Sequence, residues 1–382
     1  PIIIMVLNYR AVLFTLGILV FFLGIALLLP MLVALLYGEP EWWTFGVTAL
    51  GSLIIGTVAW IQRSRSQTEL QIRDGFAIVA MAWVVLSLIG ALPFVMGGVL
   101  ESYTDAFFET MSAFTTTGST IFGGAGNPDI EDVPHAFLFW RSLAHWMGGM
   151  GIIVLTLAIL PLLGVGGMQL YKAEVPGPSA DKLTPRVQET AKRLWMIYVG
   201  ITFVEFLVLL PAMNTFDAIN HAFATMATGG FSTKNGSVGQ FGSAYIDWVI
   251  TIFMFLAGVN FALHFRMLRG KAITVFRDTE FRVYVGITLV ATLLITIGTW
   301  APAMGYLPSY ETEGGFLGYA TFMESLRYGA FQASAIITTT GFGTADYEIW
   351  PPLAVGIIFI CFYIGGMAGS TGGGVKVIRH VL

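Results

Sequence analysis

The sequence predicts an all-α, polytopic membrane protein with an internal repeat on one side of the membrane. Three observations predict it. Of the 382 residues, 56% are hydrophobic and 11% are charged, whereas typical soluble domains carry about 25% charged residues. Long segments contain no charged side chain at all. Three similar Thr/Gly segments lie between these apolar segments at almost equal spacing.

Eight segments are candidates for membrane spans, because crossing a bilayer takes about 20 mostly apolar residues. One of them, 191–216, is interrupted by Lys192, Arg193 and Glu205. The other seven lack Asp, Glu, Lys and Arg, although 248–265 is short; they are 11–38, 42–61, 75–100, 142–171, 248–265, 283–310 and 349–375. The first segment is too long to be a removable signal peptide, and it lacks the small-residue cleavage site of one.

The charges between these segments predict their orientation. Sixteen of the 19 Lys and Arg residues fall on one side of the predicted spans. They include Arg10 and the basic residues of two long loops, 172–193 and 266–282. The opposite loops are acidic, with Glu39, Glu41, Asp129, Glu131, Asp132, Glu311, Glu313, Asp346 and Glu348. The excess of positive charge inside predicts a cytoplasmic amino terminus, and the acidic outer loops would concentrate cations.

The repeat is visible when three outer segments are aligned on a glycine. They read "FFETMSAFTTTGST", "INHAFATMATGGFS" and "GAFQASAIITTTGFG". Their reference glycines are Gly118, Gly230 and Gly341, which are 112 and 111 residues apart. Such regular spacing indicates repeated units. Each unit reads as a span, a short apolar helix of about 12 residues, a Thr/Gly segment and a second span; the short helix cannot cross the bilayer and is expected to be re-entrant.

A Thr/Gly segment at membrane depth favours a water-filled path, because irregular backbone is tolerated there only inside protein or along such a cavity. Its carbonyls lack neighbouring backbone partners, glycine lets them face one way, and threonine adds a hydroxyl oxygen. Rings of such oxygens replace the hydration shell of K⁺, and the C-terminal ends of the short helices favour a cation. One such segment is more typical of a helix break; three favour a cation filter. The predicted filter residues are Thr116, Thr117, Gly118, Ser119, Thr228, Gly229, Gly230, Phe231, Thr339, Thr340, Gly341 and Phe342.

These segments resemble the filters of the TrkH/KtrB/HKT superfamily of potassium transporters. The stretch "YIGGMAGSTGGGVKVIR" (363–379) is similar to the third-repeat inner helix of that superfamily, and the two amino-terminal spans resemble its Trk branch. The resemblance implies helix–pore-loop–helix units around a central pore, K⁺ as the transported ion, and a bacterial cytoplasmic (inner) membrane location. No cofactor bound by this chain is expected, because the sequence has no nucleotide-binding loop of the GxxxxGK[ST] type. It also implies a homodimer with a cytoplasmic, nucleotide-binding ring of the TrkA/KtrA type, to which the basic inner loops offer a docking surface. No nucleic-acid partner is expected.

The expected organisation is two N-terminal spans (1–74), repeat 1 (75–171), repeat 2 (172–270) and repeat 3 with a gating loop (271–382). The superfamily has four repeats, and three pore loops cannot close a fourfold cage of carbonyls. We therefore expect repeat 4 to be absent from this chain, which begins at Pro1 and ends at Leu382.

The glycine-rich run at 365–374 interrupts the last predicted span. Close helix packing would explain some of its glycines, but each glycine costs a helix roughly 1 kcal/mol relative to alanine. An unwound loop that closes the pore below the filter is favoured, and Lys376 and Arg379 mark where the span reaches the cytoplasm. The predicted gate residues are Gly365, Gly366, Gly369, Ser370, Thr371, Gly372, Gly373 and Gly374.

Several other polar residues have a functional and a structural interpretation. Glu205, within a span, is either functional or paired with a nearby polar group. Arg141 and Arg327 are expected to form salt bridges with a carboxylate of a neighbouring repeat rather than to contact ions. His145, His221 and His264 are expected to be hydrogen-bonded core residues, and Cys361 a buried thiol.

The remaining alternatives concern the class of function. The sequence contains no GxxxxGK[ST], GxSxG or HExxH motif, which argues against an enzyme. A carrier with alternating access, coupled to Na⁺ or H⁺ by symport, is the alternative to a continuous pore. Carriers are typically built from inverted repeats with broken helices at the membrane midplane, whereas these three repeats share one orientation, which favours the pore.

Overall fold

The computed structural model describes residues 7–61, 72–149, 151, 187–305 and 316–382. In these ranges the secondary structure is helical, apart from short 3₁₀ turns and irregular segments, and contains no strand. The chain divides into two compact units, residues 1–196 and 197–382. The all-helical membrane architecture predicted from the sequence is confirmed.

The first unit begins with a long helical hairpin. Its described helices are α1 (Tyr9–Ala26), α2 (Leu28–Tyr37), α3 (Trp42–Ile61), α4 (Ile72–Gly90), α5 (Leu92–Met96), α6 (Tyr103–Phe114) and α7 (His135–Gly149). The side chain of Asn8 caps α1 by accepting from the amide of Ala11. The breaks before α2 and α5 each precede a proline, Pro30 and Pro93, whose ring would clash with the carbonyl four residues earlier in a continuous helix.

Small residues bring α1 and α3 close together. A side chain added at Gly17 would overlap Ala59, and one added at Gly56 would overlap the backbone of Gly17. Such contacts replace the hydrophobic driving force that is missing between helices in lipid. The turn after α2 also reaches α7, where the Glu39 carboxylate accepts from the amides of His135 (2.5 Å) and Ala136 (3.0 Å). A carboxylate at a helix N-terminus stabilises both partners.

The second unit is built around three helices that share one core. After α8 (Val187–Leu209), which crosses the unit boundary, its helices are α9 (Thr215–Met226), α10 (Ala244–Ala257), α11 (Phe261–Leu268), α12 (Ala272–Phe276), α13 (Thr279–Trp300), α14 (Phe322–Ile337), α15 (Pro352–Cys361) and α16 (Val377–Val381). Helices α13, α14 and α15 pack on one another. Ile295, Ile337, Trp350 and Ile358 are buried between them.

Four helical segments in the described ranges, two of which include a short break, are long and apolar enough to cross a membrane. They are Tyr9–Tyr37, Trp42–Ile61, Asp74–Met96 and Thr279–Trp300, and they correspond to the predicted spans 11–38, 42–61, 75–100 and 283–310. The predicted span 191–216 is helical in α8. Most of the predicted span 142–171 lies outside the described residues, as does most of the basic loop 172–193.

Two predicted spans are interrupted. The segment 248–265 is not one helix, because α10 and α11 meet at 100°; the Asn260 side chain caps the second helix by accepting from the amide of Ala262. In the last predicted span, α15 ends at Cys361, and the chain is irregular up to Lys376. Glycine explains the second interruption, since it loses more conformational freedom than any other residue when it is fixed in a helix. The first was not predicted.

Candidate functional site

The three short helices that precede the Thr/Gly segments start in the same way. They are α6, α9 and α14, with 12, 12 and 16 residues. In each, a polar N-cap side chain accepts from the amide of an acidic residue three positions later; the pairs are Ser102 with Asp105, Asn214 with Asp217, and Thr321 with Glu324. An acidic first turn complements the positive end of the helix dipole. The third helix is one turn longer than the sequence predicted.

The three helices also end in the same way. In the first, the amides of Thr116 and Thr117 donate back to the carbonyls of Ala113 and Ser112, which is the hydrogen-bond pattern of a Schellman motif. The corresponding amides of the second and third segments make the same pair of bonds; they run from Thr228 to Thr225, Gly229 to Ala224, Thr339 to Ile336 and Thr340 to Ala335. All three segments therefore turn away from their helices identically.

The left-handed position of each motif is occupied by threonine, although glycine is usual there. The φ angle is 52° at Thr116, 52° at Thr228 and 59° at Thr339. A β-branched residue in this region is an outlier, and such strain persists where function requires a particular geometry. Two residues later the reference glycines are also left-handed, with φ of 77°, 80° and 80° at Gly118, Gly230 and Gly341.

The carbonyl groups of these segments are left available. The first two N–H groups of each segment donate back to the helix, but within the described ranges no hydrogen bond is accepted by the carbonyls of 116–118, 228–230 or 339–341. Each segment therefore presents a short row of oxygens that a bound cation could use.

Within the second unit, the second and third segments lie side by side. A side chain added at Gly230 would overlap the carbonyl oxygen of Thr340. Just beyond, the amide of Gly239 donates to the carbonyl of Gly343 at 2.9 Å, and the amide of Gly343 donates to the Ser237 hydroxyl at 3.2 Å. These two predicted filter segments are thus in direct contact. The first segment, 116–119, belongs to the other unit.

Each short helix carries one buried polar side chain at the same aligned position, and of these three only His221 was considered from the sequence. Nine residues before the reference glycine stand Glu109, His221 and Gln332, all essentially inaccessible to solvent. Each bonds to the chain that leaves its Thr/Gly segment. Glu109 accepts from the Thr120 hydroxyl and the Ile121 amide, His221 Nε2 contacts the Ser232 hydroxyl at 2.9 Å, and Gln332 Nε2 donates to the Ala345 carbonyl at 3.0 Å. A polar residue at the same aligned position of all three segments was the available signal.

The two outer arginines form ion pairs. Arg141 Nε lies 2.5 Å from Glu109 Oε1, and both side chains are buried. The prediction of a partner in a neighbouring repeat was wrong for Arg141, because α7 packs on α6 of the same unit. For Arg327 it was correct, since the side chain lies 3.4 Å from Asp247 on α10.

The glycine loop, defined as residues 362–376, lies directly against the third Thr/Gly segment. The amide of Gly373 donates to the Thr339 hydroxyl at 2.6 Å, and a side chain at Gly372 would approach the Thr338 carbonyl. The loop also bonds to the bend between α10 and α11, where the amide of Met367 donates to the Gly258 carbonyl at 2.9 Å. The predicted gate residues are therefore in contact with predicted filter residues, through the strained threonine of the third segment.

The remaining candidate residues are buried among other side chains. His221 Nδ1 contacts the Asp217 carbonyl and His264 Nε2 the Leu256 carbonyl, so both are hydrogen-bonded as expected, and Cys361 is a buried thiol. In the part of the chain that the structure describes, no group of His, Cys, Asp or Glu could hold a metal ion. Glu205 is completely buried, and the Thr225 side chain lies beside its carboxylate.

Comparison with known proteins places this geometry in context. Residues 45–382 match the TrkH family, described as cation transport protein. The chain is 43% identical over 380 residues to the Trk system potassium uptake protein TrkH of Salmonella typhimurium strain LT2, covering 98% of this chain and 74% of that relative. It is 35% identical over 380 residues to the Trk system potassium uptake protein TrkG of Escherichia coli K12, with the same coverage.

A solved structure shows the same fold. The crystal structure of the potassium transporter TrkH from Vibrio parahaemolyticus matches with a TM-score of 0.82 and 37% sequence identity. The match covers 98% of this chain and 74% of that one.

Proposed function

The chain belongs to the TrkH family of cation transport proteins, and we propose that it takes up K⁺ through a filter of Thr/Gly carbonyls. The transported ion is K⁺, and no cofactor takes part. The relatives that support this are named as potassium uptake proteins. The selectivity residues are the twelve at 116–119, 228–231 and 339–342.

One observation carries the filter proposal. In all three segments the first two backbone amides donate to the preceding helix, while the carbonyls of three successive residues accept no hydrogen bond from described residues. Oxygens without a protein donor are the groups that replace the water around K⁺. The short helices end at these segments, so the negative ends of their dipoles add to the attraction for a cation. The strained threonines and glycines hold this arrangement.

The gate in this proposal is the glycine loop. A row of carbonyls selects ions but does not shut, because closing it would strip ions of water without replacement oxygens. The position of the loop supports a role in closure, since the amide of Gly373 donates a hydrogen bond to the hydroxyl of Thr339. While that bond exists, one lone pair of the hydroxyl oxygen accepts from the loop and is not available to coordinate an ion. Opening would move the loop away and release it.

The surroundings of the pore follow from the same proposal. The amino terminus and the basic segment 266–282 face the cytoplasm of a bacterium, where a nucleotide-binding ring of the TrkA/KtrA type docks on them. The protein works as a homodimer in the cytoplasmic (inner) membrane. The excess of Lys and Arg in these segments supports this orientation. Arginine and lysine on an exposed segment also suit an acidic protein partner.

Flux measurements at controlled voltage test the proposal. Vesicles containing the full-length protein should take up ⁸⁶Rb⁺ along its electrochemical gradient and exclude Na⁺. Moving one charge through 100 mV supplies about 2.3 kcal/mol, which corresponds to roughly fiftyfold accumulation. Flux that requires a proton or sodium gradient at clamped voltage would instead support the coupled carrier, and Na⁺ flux equal to ⁸⁶Rb⁺ flux would refute the filter.

A further inference from the structure

A single carboxylate joins the residues on either side of the glycine run 369–374. Glu280, in the first turn of α13, accepts through Oε1 from the amide of Ala368 at 2.7 Å and from the amide of Ile378 at 3.1 Å. Ala368 precedes the central glycines of the loop and Ile378 follows them. One oxygen of one side chain therefore bridges the chain segments before and after residues 369–374.

Two backbone hydrogen bonds also join residues 365–366 to residues 375–377, and we call this region the neck of the loop. The amide of Gly365 donates to the carbonyl of Val375 at 2.8 Å, and the amide of Val377 donates to that of Gly366 at 3.2 Å. The Lys376 amino group, which is largely buried, donates to the Gly372 carbonyl inside the loop. Its positive charge and the negative charge of Glu280 attract each other. The neck thus carries a charged pair, whereas the loop itself is mostly glycine.

We propose that Glu280 is a positioning residue that ties the glycine loop to the start of α13 and so keeps the gate closed. This inference rests on the proposed gate. Glycine-rich chain has more conformational freedom to lose than any other, so a loop of this composition needs restraint from outside itself. Hydrogen bonds from amides to a carboxylate are about twice as strong as neutral ones. With that restraint removed, the single hydrogen bond from Gly373 to Thr339 is too weak to offset the conformational entropy that the loop loses when it is held in place.

The position of Glu280 also connects the gate to the cytoplasmic surface. The carboxylate lies within the basic segment 266–282, two residues after Asp278, which caps α13 by accepting from the amide of Phe281. Because α12 packs on α13, a partner that displaces this segment also displaces Glu280. A displacement of the segment would therefore reach the chain on both sides of residues 369–374 at once.

Basal ⁸⁶Rb⁺ flux in vesicles of the full-length protein, without any added subunit or nucleotide, tests the assignment. Glu280→Ala should raise basal flux about tenfold, equivalent to about 1.4 kcal/mol. Glu280→Gln retains an oxygen acceptor but loses the charge, so it should raise flux less. Asp278→Asn is the matched control, because it removes a charge from the same helix start without touching the loop, and its basal flux should equal that of wild type.

A deletion within 369–374 separates this inference from the gate itself. If the loop is the barrier, the deletion raises basal flux, and adding Glu280→Ala to it raises flux no further. Should the deletion open the pore while both Glu280 variants remain closed, the positioning role is wrong and the gate stands. Should the deletion in folded protein leave flux unchanged, the gate is wrong. If Glu280→Ala does not fold, the Glu280→Gln comparison with Asp278→Asn decides.

Discussion

Replacing Gly230 by alanine should disrupt ion selection more than its effect on folding would suggest. An alanine in the left-handed region costs roughly 1–2 kcal/mol, and Gly230 has φ of 80°. In addition, its new Cβ would overlap the carbonyl oxygen of Thr340. That oxygen belongs to backbone, so it must rotate or shift rather than step aside as a flexible side chain would. A displaced carbonyl no longer replaces the water of the ion.

The expected result is at least a tenfold fall in the ratio of ⁸⁶Rb⁺ to Na⁺ flux, corresponding to about 1.4 kcal/mol of lost discrimination. Gly242→Ala is the matched control. Gly242 lies in the same unit with φ of 59°, and an added Cβ would meet nothing within 4 Å, so the variant carries similar backbone strain without moving a filter oxygen. Its flux ratio should equal that of wild type. The reasoning fails if Gly230→Ala, shown to be folded, keeps the wild-type ratio, or if both variants lower it equally.

Two further predictions concern the support of the filter and the gate. Gln332→Met keeps the volume of the buried side chain but cannot donate to the Ala345 carbonyl, so the flux ratio should fall while the protein remains folded; an unchanged ratio would show that this bond does not support the filter. Burial lowers the pKa of Lys376 to about 8, against the attraction of Glu280. As the cytoplasmic pH rises through about 8, the amine loses its charge, its hold on the loop weakens and basal flux should rise. Lys376→Arg stays charged and should show no rise, whereas a flat wild-type profile would contradict the argument.

The sequence by itself determined the class of the protein and the position of its candidate site. Long segments without charge predict membrane helices because the bilayer leaves few alternatives. The three Thr/Gly segments were recognisable because their spacing of 112 and 111 residues is a property of the chain alone. The glycine loop was recognisable for the same reason, since glycine at that density does not form a stable helix.

Only the tertiary structure decided which partners the polar residues have. The pairing of Arg141 with Glu109, rather than with a carboxylate of another repeat, depends on how α7 packs on α6. The 100° bend between α10 and α11 is stabilised by bonds to the glycine loop about a hundred residues later, such as Met367 to Gly258. Likewise, the bridging role of Glu280 requires Ala368 and Ile378 to meet at one oxygen. Local patterns specify helices, termini and turns, but hydrogen bonds between distant segments arise only when the chain has packed.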